Sequence, residues 1–164
     1  MNKIIRKIQY SEKVYRFDVE APLIAKSRKA GNFVIIRVDA NSERMPLTIA
    51  DADTEKGTIT LVVQKVGLSS TKLCNLNEGD EIHDVVGPLG NPTHIENFGT
   101  VLCAGGGVGV APMLPIIKAL KAAGNRVLSV IAGRSKDLVI MEDEVRASSD
   151  ELIIMTDDGS YGTK

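Results

Sequence analysis

The glycine-rich stretch LCAGGGVGVAP, residues 102–112, constrains the fold of this chain more than any other feature of its sequence. It follows an apolar run and precedes apolar residues at helical spacing, namely Met113, Ile116, Ile117 and Leu120. A strand, a glycine loop and a helix in this order are typical of the carboxyl edge of a parallel sheet, where phosphates bind helix starts. The loop lacks the Gly-Lys-Ser/Thr that ends a P-loop and the third glycine of G-x-G-x-x-G. It therefore indicates an anion site without identifying the ligand.

The residues around this loop follow an α/β pattern. Short apolar runs at residues 100–105, 126–133 and 151–156 are predicted as strands buried on both faces, with helical segments between them. Pro112 and Pro115 are compatible with the first helix if both lie in its first turn. Since a doubly wound domain normally has more strands, we interpret this domain as incomplete and the chain as C-terminally truncated.

The preceding residues follow a β pattern. Val14–Glu20 alternates apolar and polar residues, and residues 32–40, 57–67 and 80–90 are β-rich and bounded by turn residues. Short strands at this spacing predict an antiparallel barrel or sandwich. The sequence therefore predicts two domains, residues 1–97 and 98–164.

Composition and cysteine usage argue against several classes of function. A net charge of −1 and an aromatic content of 4% do not favour nucleic-acid binding. The sequence shows neither a secretory apolar region nor a membrane-spanning run, and we expect a cytoplasmic protein. Cys74 and Cys103 have no C-x-x-C partner, and His83 and His94 have no second ligand at metal spacing, so no metal site is predicted.

Several motifs together resemble one family. GGGVGVAP (105–112) occurs with RMPLTIAD (44–51), GLSSTKL (67–73), GPLGNP (87–92) and TDDGSYG (156–162). This set resembles the ferredoxin–NADP reductase superfamily over essentially the whole chain. Within it, the chain is similar to the electron-transfer subunits of dihydroorotate dehydrogenase. It is more similar to the small (alpha) subunit of NADH-dependent reduced ferredoxin:NADP oxidoreductase, also called the sulfide dehydrogenase beta subunit. The resemblance implies an FAD-binding antiparallel β-barrel followed by an incomplete NAD(P)-binding α/β domain with a parallel sheet.

The resemblance assigns the flavin to RMPLTIAD. Pro46 and Leu47 would line the isoalloxazine ring, and Thr48, the candidate catalytic residue, would place its hydroxyl near the flavin N5/O4 edge. The superfamily commonly carries arginine three residues before this Ser/Thr, where this chain has Met45. Because a shift of one residue reverses the face of a strand, Arg44 has two interpretations, a pyrophosphate ligand or a solvated surface arginine.

The remaining cofactor contacts follow from the other motifs. For FAD, Val63 and Gln64 would flank the ribityl or adenosine part, and Gly67, Ser70 and Thr71 would hold the pyrophosphate at a helix start. The dinucleotide pyrophosphate would lie on the second glycine loop, at Gly106, Gly107, Val108 and Gly109. Asp157 would accept a hydrogen bond from a free ribose hydroxyl and repel a 2′-phosphate, which favours NAD(H). Arg134 favours NADP instead.

The resemblance implies a subunit of an NAD(P)H-dependent flavin oxidoreductase. It would take hydride from NADH onto FAD and pass electrons through a [2Fe–2S] cluster, which this chain lacks, to a larger catalytic subunit. Ferredoxin is a further candidate partner, and the final acceptor is left open. Because the cluster cysteines and later strands are missing, we expect the chain to bind FAD and to transfer electrons poorly or not at all. The alternative is an FAD- or nucleotide-binding scaffold or assembly subunit without turnover of its own.

Overall fold

A computed structural model describes residues 2–164, which divide into two compact units. The first unit ends at Pro92 and the second comprises Thr93–Lys164. The elements of the first unit are β1 (Asn2–Gln9), β2 (Val14–Glu20), α1 (Pro22–Ser27), β3 (Phe33–Arg37), β4 (Met45–Asp53), β5 (Thr58–Gln64), α2 (Leu68–Asn75), β6 (Glu81–Ile82) and β7 (Asp84–Leu89). The predicted alternation in β2 is confirmed, whereas neither β1 nor α1 was predicted from the sequence.

The strands of the first unit form one antiparallel sheet that curls into a barrel. Their order is β6-β1-β2-β5-β4-β3-β7. The two edge strands, β6 and β7, are separated in the chain only by His83, so the sheet must curve until its edges approach one another. His83 is exposed, and its amide donates to the Val38 carbonyl oxygen at 3.3 Å. The predicted antiparallel barrel is therefore confirmed, with the strand predicted at 80–90 interrupted at this histidine.

The interior of the barrel is apolar because alternate residues of each strand point inward. Phe17 and Val19 of β2 are fully buried, as are Ile59 and Leu61 of the neighbouring β5. Burying each such side chain stabilises the fold by about 1.5–3 kcal/mol. This core fixes the backbone of β4 and β5, and through them the side chains on the outer face of the barrel.

The second unit is a parallel sheet with two helices. Its elements are β8 (Thr100–Gly106), α3 (Val110–Ala122), β9 (Arg126–Gly133), α4 (Glu142–Ser148) and β10 (Glu151–Thr156), with 3₁₀ turns at Gly107–Gly109 and Lys136–Leu138. The strand order is β10-β9-β8, and both strand pairs are parallel. The predicted α/β arrangement is confirmed. No helix among residues 2–164 is long and apolar enough to cross a membrane.

Residues 2–164 cover only one face of this sheet. Val127 and Ile131 are fully buried on the face that carries the helices. On the opposite face, Leu102 of β8 is 68% exposed and Ile153 of β10 is 50% exposed. The prediction of strands buried on both faces is therefore wrong for the described residues. Right-handed crossovers place α3 and α4 on the same side when the strand order runs in one direction.

Helix α3 begins directly after the second glycine loop. Pro112 is its third residue and lies in the first turn, but Pro115 lies inside the helix. The prediction that both prolines lie in the first turn is wrong for Pro115, whose missing amide leaves the Ala111 carbonyl without its i+4 partner. The helix is followed by Gly124 at φ 89°, whose amide donates to the Lys121 carbonyl oxygen at 3.0 Å.

Candidate functional sites

Strand β4 carries RMPLTIAD with its side chains on two faces. Met45 and Leu47 pack against the barrel core, whereas Pro46 is exposed and Thr48 half-buried on the outer face. The structure therefore brings Pro46 and Thr48 together and directs the Leu47 side chain away from them. Arg44 is exposed immediately before the strand, and the residue at the arginine position of the superfamily, Met45, faces the core.

The end of β5 separates two predicted residues in the same way. Val63 is buried in the core, and Gln64, the last residue of the strand, is exposed. Any contact of Val63 with a ligand outside the barrel would thus use its backbone. The Gln64 side chain is accessible from outside.

The start of α2 is shaped by one buried hydroxyl. Ser70 Oγ accepts from the amides of Val66 at 3.0 Å and Gly67 at 2.9 Å, and it donates to the Gly67 carbonyl oxygen at 3.0 Å. Ser70 is 5% exposed. The hydroxyl is therefore committed to the turn, and its effect on a ligand would be exerted through the geometry of the turn. The half-buried Thr71 donates its amide to the Gly67 carbonyl oxygen at 2.9 Å.

The first turn of α2 has the properties of an anion site beside an apolar surface. Its leading amides have no carbonyl partner within the helix. Apart from the adjacent residues in the chain, no atom of residues 2–164 lies within 4 Å of the position a Gly67 Cβ would take, so the approach to these amides is open. Val66 and Leu68, on either side of Gly67, are 78% and 76% exposed. This arrangement fits a ligand that combines a phosphate with an apolar group.

The GPLGNP motif serves the packing of the barrel. A Cβ on Gly87 would lie 2.7 Å from Cγ1 of Val34, and a Cβ on Gly90 would lie 2.8 Å from the Phe33 ring. The Asn32 side-chain amide donates to the Gly90 carbonyl oxygen at 3.0 Å. These glycines allow β7 and the segment after it to lie close to β3.

In the second unit, the glycines of the second loop have different roles. A Cβ on Gly105 would lie 3.2 Å from both the Gly109 carbonyl oxygen and Met113 Sδ, so a side chain there would fit only if these neighbours shifted by a few tenths of an ångström. Gly107 has φ 53°, which favours glycine. In the part of the chain that the structure describes, no atom other than those of neighbouring residues in the sequence lies within 4 Å of a Cβ on Gly107 or Gly109, which leaves open space over the backbone before α3. Gly106 makes ordinary contacts with Ala132.

The loops after β9 and β10 meet at the same edge of the sheet as the glycine loop. The Asp157 amide donates to the Gly133 carbonyl oxygen at 3.1 Å, and the Asp158 amide donates to the Arg134 carbonyl oxygen at 3.2 Å. The Arg134 and Asp157 side chains are both exposed. The structure thus places the two residues with opposing implications for the ribose in neighbouring loops at the carboxyl edge.

An additional cluster anchors the segment after β10. The Tyr161 hydroxyl donates to Glu142 Oε1 at 3.0 Å, and Arg146 Nη2 donates to the same oxygen at 2.7 Å. Lys136 Nζ lies 5.0 Å from the centroid of the Tyr161 ring. The hydrogen bonds from Arg146 and Tyr161 lower the pKa of Glu142, and the contact with Glu142 raises the pKa of Tyr161. This cluster was not predicted from the sequence, in which the aromatic residue of TDDGSYG was the available signal.

Neither cysteine lies in a metal-binding arrangement. Cys74 is buried and Cys103 half-buried, and burial raises the pKa of both thiols. His94 Nε2 lies 3.1 Å from Glu96 Oε2 with both side chains exposed. Within residues 2–164, no group of three or more His, Cys, Asp or Glu residues could hold a metal ion.

Comparisons with known proteins identify relatives of the chain. Residues 2–94 match the family model described as the oxidoreductase FAD-binding domain. The chain is 48% identical, over its full length and 58% of the relative's length, to a "Dihydroorotate dehydrogenase B (NAD(+)), electron transfer subunit homolog" of Thermotoga maritima. It is 34% identical to the corresponding electron transfer subunit of Bacillus caldolyticus, over 93% of this chain and 61% of the relative.

Solved structures also resemble the chain. The structure of an NADH-dependent reduced ferredoxin-NADP oxidoreductase matches with a TM-score of 0.95 and 44% identity, over all of this chain and 59% of that one. Phthalate dioxygenase reductase matches with a TM-score of 0.76 and 23% identity, over 96% of this chain and 51% of that one, a likeness of fold alone. The chain thus spans about three fifths of the length of the curated relatives it matches.

Proposed function

Because the chain belongs to the oxidoreductase FAD-binding domain family, we propose that it is a flavin-dependent electron-transfer subunit that accepts reducing equivalents from NADH and delivers them to a larger catalytic subunit. The observation that carries this proposal is the family match over residues 2–94, which includes the outer face of β4 and the start of α2. The relatives named as electron transfer subunits support the assignment of a partner.

The outer face of β4 would hold the redox-active ring. FAD, when bound, supplies the conversion between a two-electron hydride donor and one-electron acceptors. Pro46 would present an apolar surface without a competing polar group. Thr48 Oγ1, the candidate catalytic group, would donate or accept a hydrogen bond at the edge of the ring. Leu47 would contribute through its backbone, because its side chain packs against the core.

The first turn of α2 would hold the pyrophosphate of FAD. Its leading amides and the positive end of the helix dipole favour a negative charge, and Ser70 holds the turn in the required shape. Gly67 would allow close approach, and Thr71 would lie at the end of the same turn. The exposed Arg44 is the candidate for an additional positive charge, and the exposed Gln64 would flank the ribityl or adenosine part.

The carboxyl edge of the second unit would bind the pyridine dinucleotide. Its pyrophosphate would lie on the loop from Gly106 to Gly109, where the backbone is open and α3 begins. We assign NAD(H) in preference to NADP(H), because the Asp157 carboxylate would accept from a ribose hydroxyl and repel a 2′-phosphate. Arg134 would act in the opposite direction from the neighbouring loop.

The onward route would leave this part of the protein. Since no metal-binding group exists within residues 2–164, a [2Fe–2S] cluster on the route would have to be held by other residues. The final acceptor would then lie in the partner subunit, with ferredoxin as a further candidate.

Reconstitution with FAD and reduction by NADH test this proposal. The purified chain is titrated with FAD, and the flavin absorbance bands are then followed without oxygen as NADH or NADPH is added. We expect bound flavin that NADH bleaches only slowly, in line with the impaired electron transfer expected from the sequence, with NADPH binding more weakly. Failure to bind FAD would refute the flavin assignment, whereas bound flavin that resists bleaching would favour a scaffold without turnover. Tighter binding of NADPH would contradict the role of Asp157, and Asp157→Asn should raise NADPH affinity.

A further inference from the structure

Lys7 carries a charge on the core side of a barrel strand. Strand β1 pairs with β2 through Ile4 opposite Val19, and after a register shift through Arg6 opposite Asp18 and Lys7 opposite Phe17. Residues paired across an antiparallel ladder share a face, and Phe17 is fully buried. The β-bulge therefore turns Lys7 toward the inside of the barrel.

The Lys7 ammonium group contacts the C-terminal end of α2. Nζ donates to the carbonyl oxygens of Cys74 and Leu76, each at 2.7 Å. It also lies 5.2 Å from the centroid of the Tyr15 ring and 5.8 Å from that of the Phe17 ring. Cys74 is the penultimate residue of α2 and Leu76 is its C-cap. Carbonyls at this end have no partner within the helix, and a cation there is favourable.

The opposite end of the same helix carries the amides assigned above to the FAD pyrophosphate. Helix α2 has 8 residues, so its two ends are only about 12 Å apart. A displacement of its C-terminal end is therefore transmitted to Gly67 and the first turn. Errors of about 1 Å in such a site are sufficient to weaken its interactions substantially.

We propose that Lys7 is a positioning residue for the FAD site: its ammonium group anchors the C-terminal end of α2 and thereby sets the position of the amides that bind the pyrophosphate. This inference rests on the proposed function. Two charge-assisted hydrogen bonds hold the helix at a defined distance from β1 and β2, with a directionality that an apolar residue lacks.

A matched set of variants tests this role. Lys7→Met removes the ammonium group and keeps an apolar side chain of similar length, and Lys7→Arg keeps a donor that can reach the two carbonyls. Lys72→Met is the control, because Lys72 lies on the same helix but pairs with Asp39 at 3.1 Å near the surface. Lys7→Met and Lys72→Met each remove one positive charge near α2. Of these two lysines, Lys7 is the one that contacts the carbonyls at the C-terminal end of the helix.

The assay compares FAD with riboflavin, which lacks the phosphates. We expect Lys7→Met to weaken the binding of FAD about tenfold, as for the loss of one charge-assisted hydrogen bond, and to keep the affinity for riboflavin within about twofold of the wild-type value. Lys7→Arg and Lys72→Met should stay close to the wild type with both ligands. Equal weakening of FAD and riboflavin would show a general loss of structure and overturn the proposal, as would an unchanged FAD affinity.

Hydrogen exchange without any flavin separates this inference from the proposed function. Peptides covering residues 67–75 should exchange faster in Lys7→Met and at the wild-type rate in Lys72→Met. If the wild-type chain binds no FAD but this difference appears, the proposed function fails and the anchoring of α2 by Lys7 stands. If exchange is unchanged, the anchoring itself is refuted.

Discussion

Replacing Ser70 with alanine tests whether a single buried hydroxyl shapes the start of α2. The substitution removes the acceptor for the amides of Val66 and Gly67, at 3.0 and 2.9 Å, and the donor to the Gly67 carbonyl oxygen. Because Ser70 is almost fully buried, no water reaches the position of its hydroxyl without rearrangement of the turn. The expected result is a less stable first unit with a weakened FAD site.

The magnitude follows from the two amides left without an acceptor. An unsatisfied donor costs about 1–3 kcal/mol, and the loss of a helix cap costs about 1 kcal/mol. Val66 and Gly67 lie in an exposed turn that can rearrange to admit water to their amides, so the lower end of the range applies to each amide. The sum over the two amides is about 2 kcal/mol, and it already includes the lost cap, which is the contact with the Gly67 amide. With a urea m-value of about 1.3 kcal/mol/M for a unit of this size, the unfolding midpoint falls by about 1.5 M.

Amide NMR peaks from β2 and β5, followed through a urea titration, measure this change. Ser69→Ala is the matched control, because Ser69 is the adjacent residue and its hydroxyl makes none of the three contacts of Ser70. We expect the control to remain within about 0.5 kcal/mol of the wild type. Equal midpoints for the two variants would refute the assignment of Ser70 as the residue that shapes the turn.

Three further predictions concern the second unit. Gly109→Ala should preserve the fold, because Gly109 has φ −65° and open space around it. It should weaken the binding of NADH about tenfold in calorimetric titrations, which corresponds to roughly one hydrogen bond. An unchanged affinity would contradict the assignment of this loop to the dinucleotide. Hydrogen bonds hold the pKa of Glu142 below its ordinary 4.5. The stabilisation that the Glu142 carboxylate gives the folded state is therefore complete above pH 4.5 and is lost as the pH falls further. Glu142→Gln should remove this pH dependence from thermal melts between about pH 3 and 6. Leu102 is exposed on the face of the second sheet opposite the helices. Leu102→Lys should therefore leave the melting temperature unchanged and reduce the binding of a hydrophobic dye. A large destabilisation would show instead that this face is covered.

Local periodicity predicted the elements in which side-chain pattern and burial coincide. The alternation in Val14–Glu20 produces a strand with Phe17 and Val19 in the core, and the spacing of Met113 and Ile117 produces α3. These predictions succeeded because one face of each element is buried, and burial then sets the sequence pattern. The order of the motifs also indicated the two types of domain. The motifs assigned to the first domain lie within residues 2–94, which match the family model of the FAD-binding domain.

The sequence was less informative where neighbouring residues differ in orientation. Pro46 and Leu47 are adjacent and both apolar, yet only Pro46 lies outside the barrel. Ser70 and Thr71 both carry hydroxyls, but Ser70 uses its hydroxyl to hold the turn. Strand β1 does not alternate in sequence because its bulge shifts the register, so neither the strand nor the inward position of Lys7 was predicted.

The sequence by itself determined the succession of a barrel and a parallel α/β unit and the positions of two glycine-flanked helix starts, because these depend on short-range periodicity and on backbone conformations that favour glycine. The tertiary structure alone decided which side chain of each motif faces the solvent, which hydroxyl is already committed, and which face of the second sheet the two helices cover. Those outcomes depend on register, on a bulge and on the side to which the helices cross over. Each of them joins residues that are distant in the chain, as Lys7 and Leu76 show.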